Sequence, residues 1–554
     1  MSFNMKNPWF YLKDAIAKTL EVEIKEIEES LGYGDFAYPC FSLSKKLGKN
    51  PNEIAKEMSE KLKIDFTDAK AIGPYLNFYV RWDEFGQKVL EEVNEKYGFN
   101  KSNKTAVIDL SSPNPAHPFH MGTTRSTILG EALSRILESQ GWDVKRFCYI
   151  NDLGKQFSIL LLGYQMFGNN ETPKGKPDKW LGDIYFKINE KISEDTTLEE
   201  KAEELLKRYE RGDKEIKKLA EKVLKWCLEG FKENWESLGI KFKDIFLESS
   251  AKEESHKIIE QLKSKNLVFD SDNATVLKLE PELPNTIILR SDGTGLYLTR
   301  DIATTLWKFK KYKPDLNIWV VAEDQKLHFQ QQFKTITLLG NEDLAKKCFH
   351  LAYSMVLLEG KKMSARKGHM VLWDDIIDEG HQRALQEVEN RWKLDEKEKE
   401  KRATAIALGS LVYFIVKYSP EKIVNFSWEN ALRFEGDTGP YLQYTYARAN
   451  SILSKAKSKG FDAKNLKDEK ELKLIKFISK YPSILEKSAN ELKPHILANY
   501  LYDLADAFNE FYQFLQVLNA EEKIKNARLK LVESVRTVFK SGLYLLGIPI
   551  LEKM

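Results

Sequence analysis

The sequence predicts an α/β fold built on a parallel sheet, preceded by a small α+β domain and followed by an all-α domain. Three observations carry that expectation. From Thr105 onward, β-like runs alternate with amphipathic helical patterns in the order strand, helix, strand, which implies a parallel, Rossmann-like sheet. Residues 1 to about 100 mix helical patterns with a turn-rich centre and an extended segment. Beyond about residue 375, apolar positions recur at helical spacing.

In the first domain (1–102), helical patterns at Leu12 to Leu20 and Pro51 to Leu62 flank LGYGDFAYPCFSLSKKLGKN, and the Gly-Pro of AIGPYLNFYV turns into an aromatic strand. A Lys-rich linker at 101–104 closes it. The second domain (103–375) opens with the apolar run Ala106 to Leu110. Leu129, Leu133, Ile136 and Leu137 then trace a helix that Gly141 stops, and VKRFCYI forms the next strand. Residues from about 170 to 265 are Lys/Glu-rich and helical, the pattern of an insertion. TIILRS, IWVVAE and LAYSMVLL supply the second half of the sheet. Residues 376–404 connect to the α-helical domain 405–554, where Leu497, Leu501, Leu504, Phe508, Phe511 and Leu515 make an apolar core stripe.

The chain has 554 residues, 42% of them hydrophobic, enough for several cores. A net charge of +3 is too small to demand a nucleic-acid partner, but residues 405–554 hold 22 Lys and Arg against 17 Asp and Glu, while the remainder is slightly acidic. The four cysteines have no CxxC spacing, so a zinc site or disulfide framework is not expected. No signal peptide or membrane-length apolar run occurs, which makes the cytoplasm the expected location.

Chemistry concentrates in Asp109 to Gly130, DLSSPNPAHPFHMGTTRSTILG. A strand ends in Ser-Ser-Pro-Asn-Pro, and a His-Met-Gly-Thr tetrad opens a helix. Unpaired backbone N–H groups and the helix dipole there suit a nucleotide phosphate. Gly122 lets a flat ring approach the backbone, and His120 offers a donor where phosphate charge develops. Downstream, EGKKMSARKG (Glu359 to Gly368) follows an apolar strand with a cation-bearing loop able to close over a triphosphate. In RSDGTGLYLTRDIATTLWK, Tyr297 and Asp301 lie four residues apart and can point into one pocket. YINDLGKQF leaves Asp152 and Gln156 open between a pocket wall and a helix cap. In FSWENALRFEGDTGPYLQYTYARANSIL, Tyr441, Tyr444 and Arg448 share a helix face, which fits core packing and base stacking beside a cation equally.

These segments resemble, in order and along nearly the whole chain, the arginyl-tRNA synthetases. The tetrad stands where class I synthetases carry their HIGH signature, and KKMSARKG resembles their KMSKS loop. The resemblance implies that His117, His120, Gly122, Thr123, Lys362, Met363, Ser364, Arg366 and Lys367 handle ATP and its chemistry. It implies that Asp109, Ser112, Pro113, Asn114, Tyr297, Asp301 and Gln325 bind arginine, and that Phe36, Tyr441, Tyr444 and Arg448 contact tRNA. Physically, a guanidinium is a planar fork of five donors and needs a carboxylate plus neutral acceptors. Asp301 would hold the fork, Tyr297 and Gln325 would complete it, and Asp109 and Asn114 would grip the α-amino and carboxylate ends. GDFAYPCFSLSKKLGKNPNEIAKEM resembles the additional domain these enzymes set against the tRNA elbow; Phe36, Tyr38 and Phe41 fit either a base or a core, with Phe41 leaning to the core.

The implied activity is ligation of L-arginine to tRNA(Arg). ATP, with Mg²⁺, gives arginyl-adenylate, and the arginyl group passes to the 2′-OH of the terminal adenosine. A monomer and activation that waits for tRNA belong to the same resemblance, while the cysteine spacing and the lack of a long apolar run lead to the expectation of no resident metal and no membrane contact. Two positions depart from the pattern. Thr123 stands where HIGH has its second His, and Ala365 where KMSKS has its second Lys. Family members lacking that Lys often carry one just before the tetrad, where this chain has His117, a substitute only when protonated. These departures keep open a catalytically impaired tRNA-binding paralogue. A small-molecule nucleotidylyltransferase and a class I enzyme for cysteine or lysine are the other rivals.

Overall fold

The computed structural model describes residues 6–30, 32–169, 171–271, 274–290, 297–358, 361–362 and 371–554. By their contacts the residues group into two units, one of 102–432 with 492–494, the other of 1–101, 433–491 and 495–554.

The 102–432 unit holds five parallel strands, β1 (Thr105–Ser111), β2 (Asp143–Ile150), β3 (Asp244–Leu247), β4 (Leu316–Ala322) and β5 (Cys348–Tyr353). Their spatial order is β5-β4-β1-β2-β3. The order reverses between β1 and β4, and a crevice opens where such a reversal meets the strands' carboxyl ends. Helix α1 (Met121–Ser139) follows β1 and ends at Gly141, whose φ of +82° is the left-handed stop expected of glycine. Gly130 lets α1 lie against the sheet, since a Cβ there would stand 2.2 Å from that of Leu110. Helix α2 (Tyr297–Tyr312) leads into β4, and α3 (Lys326–Leu338) leaves it. Val107, Phe147, Ile302 and Ile336 close the core between sheet and helices.

Four expectations differ from the structure. TIILRS does not join the parallel sheet; Thr286–Leu289 pairs antiparallel with Ala274–Leu277, which pairs with Val268–Ser271. A short apolar run does not reveal its partner, and Ile287 shows one face open to solvent. LAYSMVLL is broken after Tyr353, because the carbonyls of Ser354 and Met355 turn toward the Arg125 guanidinium. The second half, Val356–Leu358, pairs instead with Val424–Phe426. The helical stretch 170–265 contains β3, a four-residue edge strand too short to stand out among lysines and glutamates. The boundary expected after residue 404 lies inside helix Glu396–Val416.

In the other unit, strands Glu28–Glu29, Phe36–Pro39, Tyr75–Val80 and Thr67–Ile72 form an antiparallel sheet. The helices Gly439–Lys455, Glu469–Asn490, Pro494–Phe514 and Glu522–Leu546 form a bundle whose stripe from Leu497 to Phe511 is buried. Within this unit, the Lys476 ammonium meets Asp35 at 2.8 Å, and that of Lys480 lies 4.7 Å from the Trp9 ring centre.

Candidate active site

Two cavities meet at the carboxyl ends of β1 and β4, and Ser112 and Val321 line both. The larger, about 760 Å³, takes its wall from His120, Gly122, Thr123, Arg125, Glu323 and Asp324. His120 is the N-cap of α1, its Nδ1 accepting the Gly122 N–H at 3.1 Å. An acceptor at Nδ1 puts the neutral ring's proton on Nε2, which lies 3.4 Å from Thr123 Oγ1. Burial pushes the His120 imidazole down to about 4, so near neutrality it is an uncharged donor. Gly122 is needed by this cap, because a Cβ there would stand 2.9 Å from His120 Cε1; the flat ring approaching the backbone is the chain's own imidazole.

Arg125 is fully buried and donates to the carbonyls of Ser354, Met355, Pro420 and Lys422, fastening the first turns of α1 to the strands beyond β5. Tyr353 donates to the Gly122 carbonyl at 3.2 Å. The Lys361–Lys362 backbone pairs with Leu357–Leu358. At the other end, Met121 N–H donates to Val371 O and Trp373 N–H to Phe119 O. Val371 lines this cavity, and Lys361–Lys362 pairs with the strand whose first residue, Val356, also lines it. Met363, Ser364, Arg366 and Lys367 lie outside the described residues, as does the Lys362 side chain. His117 lines neither cavity; its ring stands edge-on to Tyr185 at 5.0 Å, and burial lowers its proton affinity. The cationic substitute expected there is therefore not supplied near neutral pH.

The smaller cavity, about 290 Å³, gathers Asp109, Ser112, Tyr297, Asp301 and Gln325 as expected. Asn114 lines the larger cavity instead, its amide donating to Gln156 at 2.6 Å, and Pro113 lines neither. Asp152 is a buried structural anchor that takes the Ser249 N–H at 2.8 Å and the Tyr209 hydroxyl at 3.1 Å; the following helix is capped by neither Asn151 nor Asp152.

Several groups in or beside the cavity were not read from the sequence. Lys308, fully buried, lies 3.4 Å from Asp109 Oδ2, while Ser112 Oγ donates to Oδ1 at 2.9 Å. The same ammonium lies 4.1 Å from the Phe147 ring centre and 4.9 Å from that of Trp319. Burial raises the Asp109 carboxyl and lowers the Lys308 amine, and their mutual attraction opposes both shifts. His328 Nε2 lies 2.7 Å from Asp301 Oδ2. Tyr149 lines the cavity, and its buried hydroxyl finds no partner among the described residues. Glu248, buried and paired with Arg300 at 2.8 Å, is pushed up to about 8 by burial, and its Oε2 is also unsatisfied. Tyr149 and Lys308 stand at the ends of two segments singled out in the sequence, but no spacing marks either of them, His328 or Glu248 as a partner of the cavity carboxylates.

On the second unit, Tyr441, Tyr444 and Arg448 share a half-buried face of helix Gly439–Lys455. The Arg448 guanidinium lies 4.6 Å from the ring centres of both Tyr444 and Tyr512. Phe36 is corrected: it is fully buried, 4.4 Å from the Trp9 ring. Phe41 is corrected in the opposite sense, being 48% exposed and edge-on to the exposed Tyr75.

Comparison with known proteins agrees with this geometry. Residues 87–428 match the family of class I tRNA synthetase (R) catalytic domains, 442–554 the DALR anticodon binding domain, and 11–80 the arginyl tRNA synthetase N-terminal domain. An arginine–tRNA ligase of Clostridium perfringens is 36% identical, over 98% of this chain and 99% of its own length. One from Halothermothrix orenii is also 36% identical over the same shares. The solved Thermus thermophilus arginyl-tRNA synthetase superposes with a TM-score of 0.85 at 30% identity, covering 98% of this chain and 100% of the other. By a family model over residues 87–428, relatives at 36% identity over nearly the whole length and a full-length structural match, the chain belongs to the arginyl-tRNA synthetases of class I.

Proposed function

We propose that the chain joins L-arginine to tRNA(Arg) in two steps. The observation that carries this is the adjoining pair of cavities that share Ser112 and Val321. ATP occupies the larger, with its phosphates at the N-terminus of α1, where the helix dipole and the neutral His120 donor meet developing negative charge. The cations of 361–367 add to that stabilisation. Arginine occupies the smaller, its guanidinium on Asp301 and Tyr297 and its α-ammonium toward Asp109. Its carboxylate then reaches the α-phosphorus, giving arginyl-adenylate and pyrophosphate, and the terminal tRNA 2′-OH takes the arginyl group. Positioning and fixed charge do the catalytic work.

Mg²⁺ would travel with the triphosphate. Glu323 and Asp324 line the cavity and would supply oxygen ligands beside those of the phosphates and water, though one Glu323 oxygen already accepts from Ser354. The Tyr444–Arg448–Tyr512 stack supports a platform for unpaired tRNA bases, and the exposed Phe41 and Tyr75 support a second contact. Activation that waits for tRNA, a monomeric state and a cytoplasmic location follow from the family likeness. Among the described residues, no helix is long and apolar enough to cross a membrane. Purified protein with labelled arginine, ATP, Mg²⁺ and tRNA tests the proposal. Formation of arginyl-tRNA supports it, and its absence at every pH favours the impaired paralogue. Pyrophosphate exchange that runs equally well without tRNA removes the tRNA requirement.

A further inference from the structure

We propose that His328 is a positioning residue that makes the arginine cavity selective for a planar fork over a compact ammonium. The inference rests on the reading of Asp301 as the guanidinium anchor. His328 and Gln332 lie one turn apart on α3, so they share a face. Both reach the same residue of α2. His328 Nε2 lies 2.7 Å from Asp301 Oδ2, and Gln332 Nε2 donates to the Asp301 carbonyl at 3.3 Å and to Thr305 Oγ1 at 2.8 Å. Helix α3 therefore holds Asp301 by its side chain and its backbone.

An ionised carboxylate only accepts, so the imidazole N–H is the donor. Asp301 lines the cavity, and that bond restrains the plane of its carboxylate while leaving Oδ1 and the second lone pair of Oδ2 for a ligand. The Tyr297 ring, 5.0 Å from the imidazole and tilted 39°, packs against it and limits its swing. A carboxylate free to rotate serves an ammonium, which has no plane, as well as it serves a guanidinium. A carboxylate locked in one plane favours two parallel N–H···O bonds. His328 thus acts through Asp301 and through neither ATP nor the reacting atoms.

The test uses the full-length protein with His328→Phe, which keeps a ring beside Tyr297 but loses the donor, and His328→Gln, which restores a side-chain N–H. Steady-state charging of tRNA gives kcat and the KM values for arginine and ATP, and L-lysine is titrated as a competitor. Losing a charge-assisted hydrogen bond should raise arginine KM about tenfold or more in the Phe variant. Lysine inhibition and ATP KM should stay within about threefold, and the Gln variant should recover most of the loss. If the Phe variant loses ATP binding as well, His328→Ala takes its place. Arginine KM unmoved in the donor-free variant overturns the proposal, as does an equal loss in the donor-retaining one. Asp301→Asn separates the two layers. If it leaves arginine KM unchanged, the pocket assignment itself fails; if it raises KM while the donor-free variant does not, only the role of His328 fails.

Discussion

Replacing Lys308 with Met should convert a paired buried acid into an unpaired one. Both partners are almost wholly inaccessible, Asp109 at 3% and Lys308 at 0% exposure, with 3.4 Å between charged atoms. At an effective dielectric near 20 that separation corresponds to an attraction of about 5 kcal/mol, most of it offset by lost hydration. Breaking such a pair costs about 3–5 kcal/mol, because the remaining charge is stranded. For a unit of this size, melting should fall by roughly 5–10 °C. Burial already raises the Asp109 carboxyl, so the folded state holds a proton there more readily than the unfolded chain. Removing the ammonium raises it further. The stability deficit should therefore be larger at about pH 8 than at about pH 5, shrinking as pH falls through the folded-state value and the acid becomes neutral. Asp109→Asn placed on top of Lys308→Met removes the stranded charge and should recover most of the loss. Thermal melts of the single and double variants at both pH values decide the matter. A deficit independent of pH, or a double variant no better than Lys308→Met alone, refutes the reasoning.

Gly122→Ala should drive the His120 ring off its cap, since the new Cβ would stand 2.9 Å from Cε1; pyrophosphate exchange should lose kcat while arginine KM holds. His120 folds as the neutral ring, so its contribution to stability is intact above the unfolded-state value and is lost as pH falls from about 6.5 toward 4; a His120→Asn variant should melt with a flatter acid dependence. Tyr444→Ala should raise tRNA KM about tenfold or more with arginine KM unchanged, as expected for one lost stacking contact. Phe36→Ala should cost about 3–5 kcal/mol of stability as a core truncation, whereas Phe41→Ala should leave melting unchanged and weaken tRNA binding.

The parallel core was legible because its strands and α1 are long and periodic, and because Gly141 marks a clear stop. The edge strand β3 was missed and the Thr286–Leu289 strand misplaced, because four residues with three apolar ones among them specify neither a partner nor a direction. Tyr297, Asp301 and Gln325 could be found because they sit in an extended motif. The roles of His328 and Lys308 could not be read: one is an isolated histidine on an amphipathic helix, and the other, although it ends the same segment as Tyr297 and Asp301, reads as one more lysine before Lys310 and Lys311. Their meaning comes from helices α2 and α3 crossing at one carboxylate and from β1 ending beneath them. Phe36 and Phe41 exchanged roles for a local reason. In Phe36–Pro39 the first three side chains are all buried, whereas Phe41 begins a short helix with none of its residues buried.

The measurement that bears most directly on the account is kcat/KM for arginine in tRNA charging by Asp301→Asn, with ATP KM measured alongside. Loss of the partly buried charge on the guanidinium anchor should lower kcat/KM about a hundredfold or more and leave ATP KM within about threefold. A value within about threefold of the parent would contradict the account, because the carboxylate beside the adenylate chemistry would then not be what selects arginine.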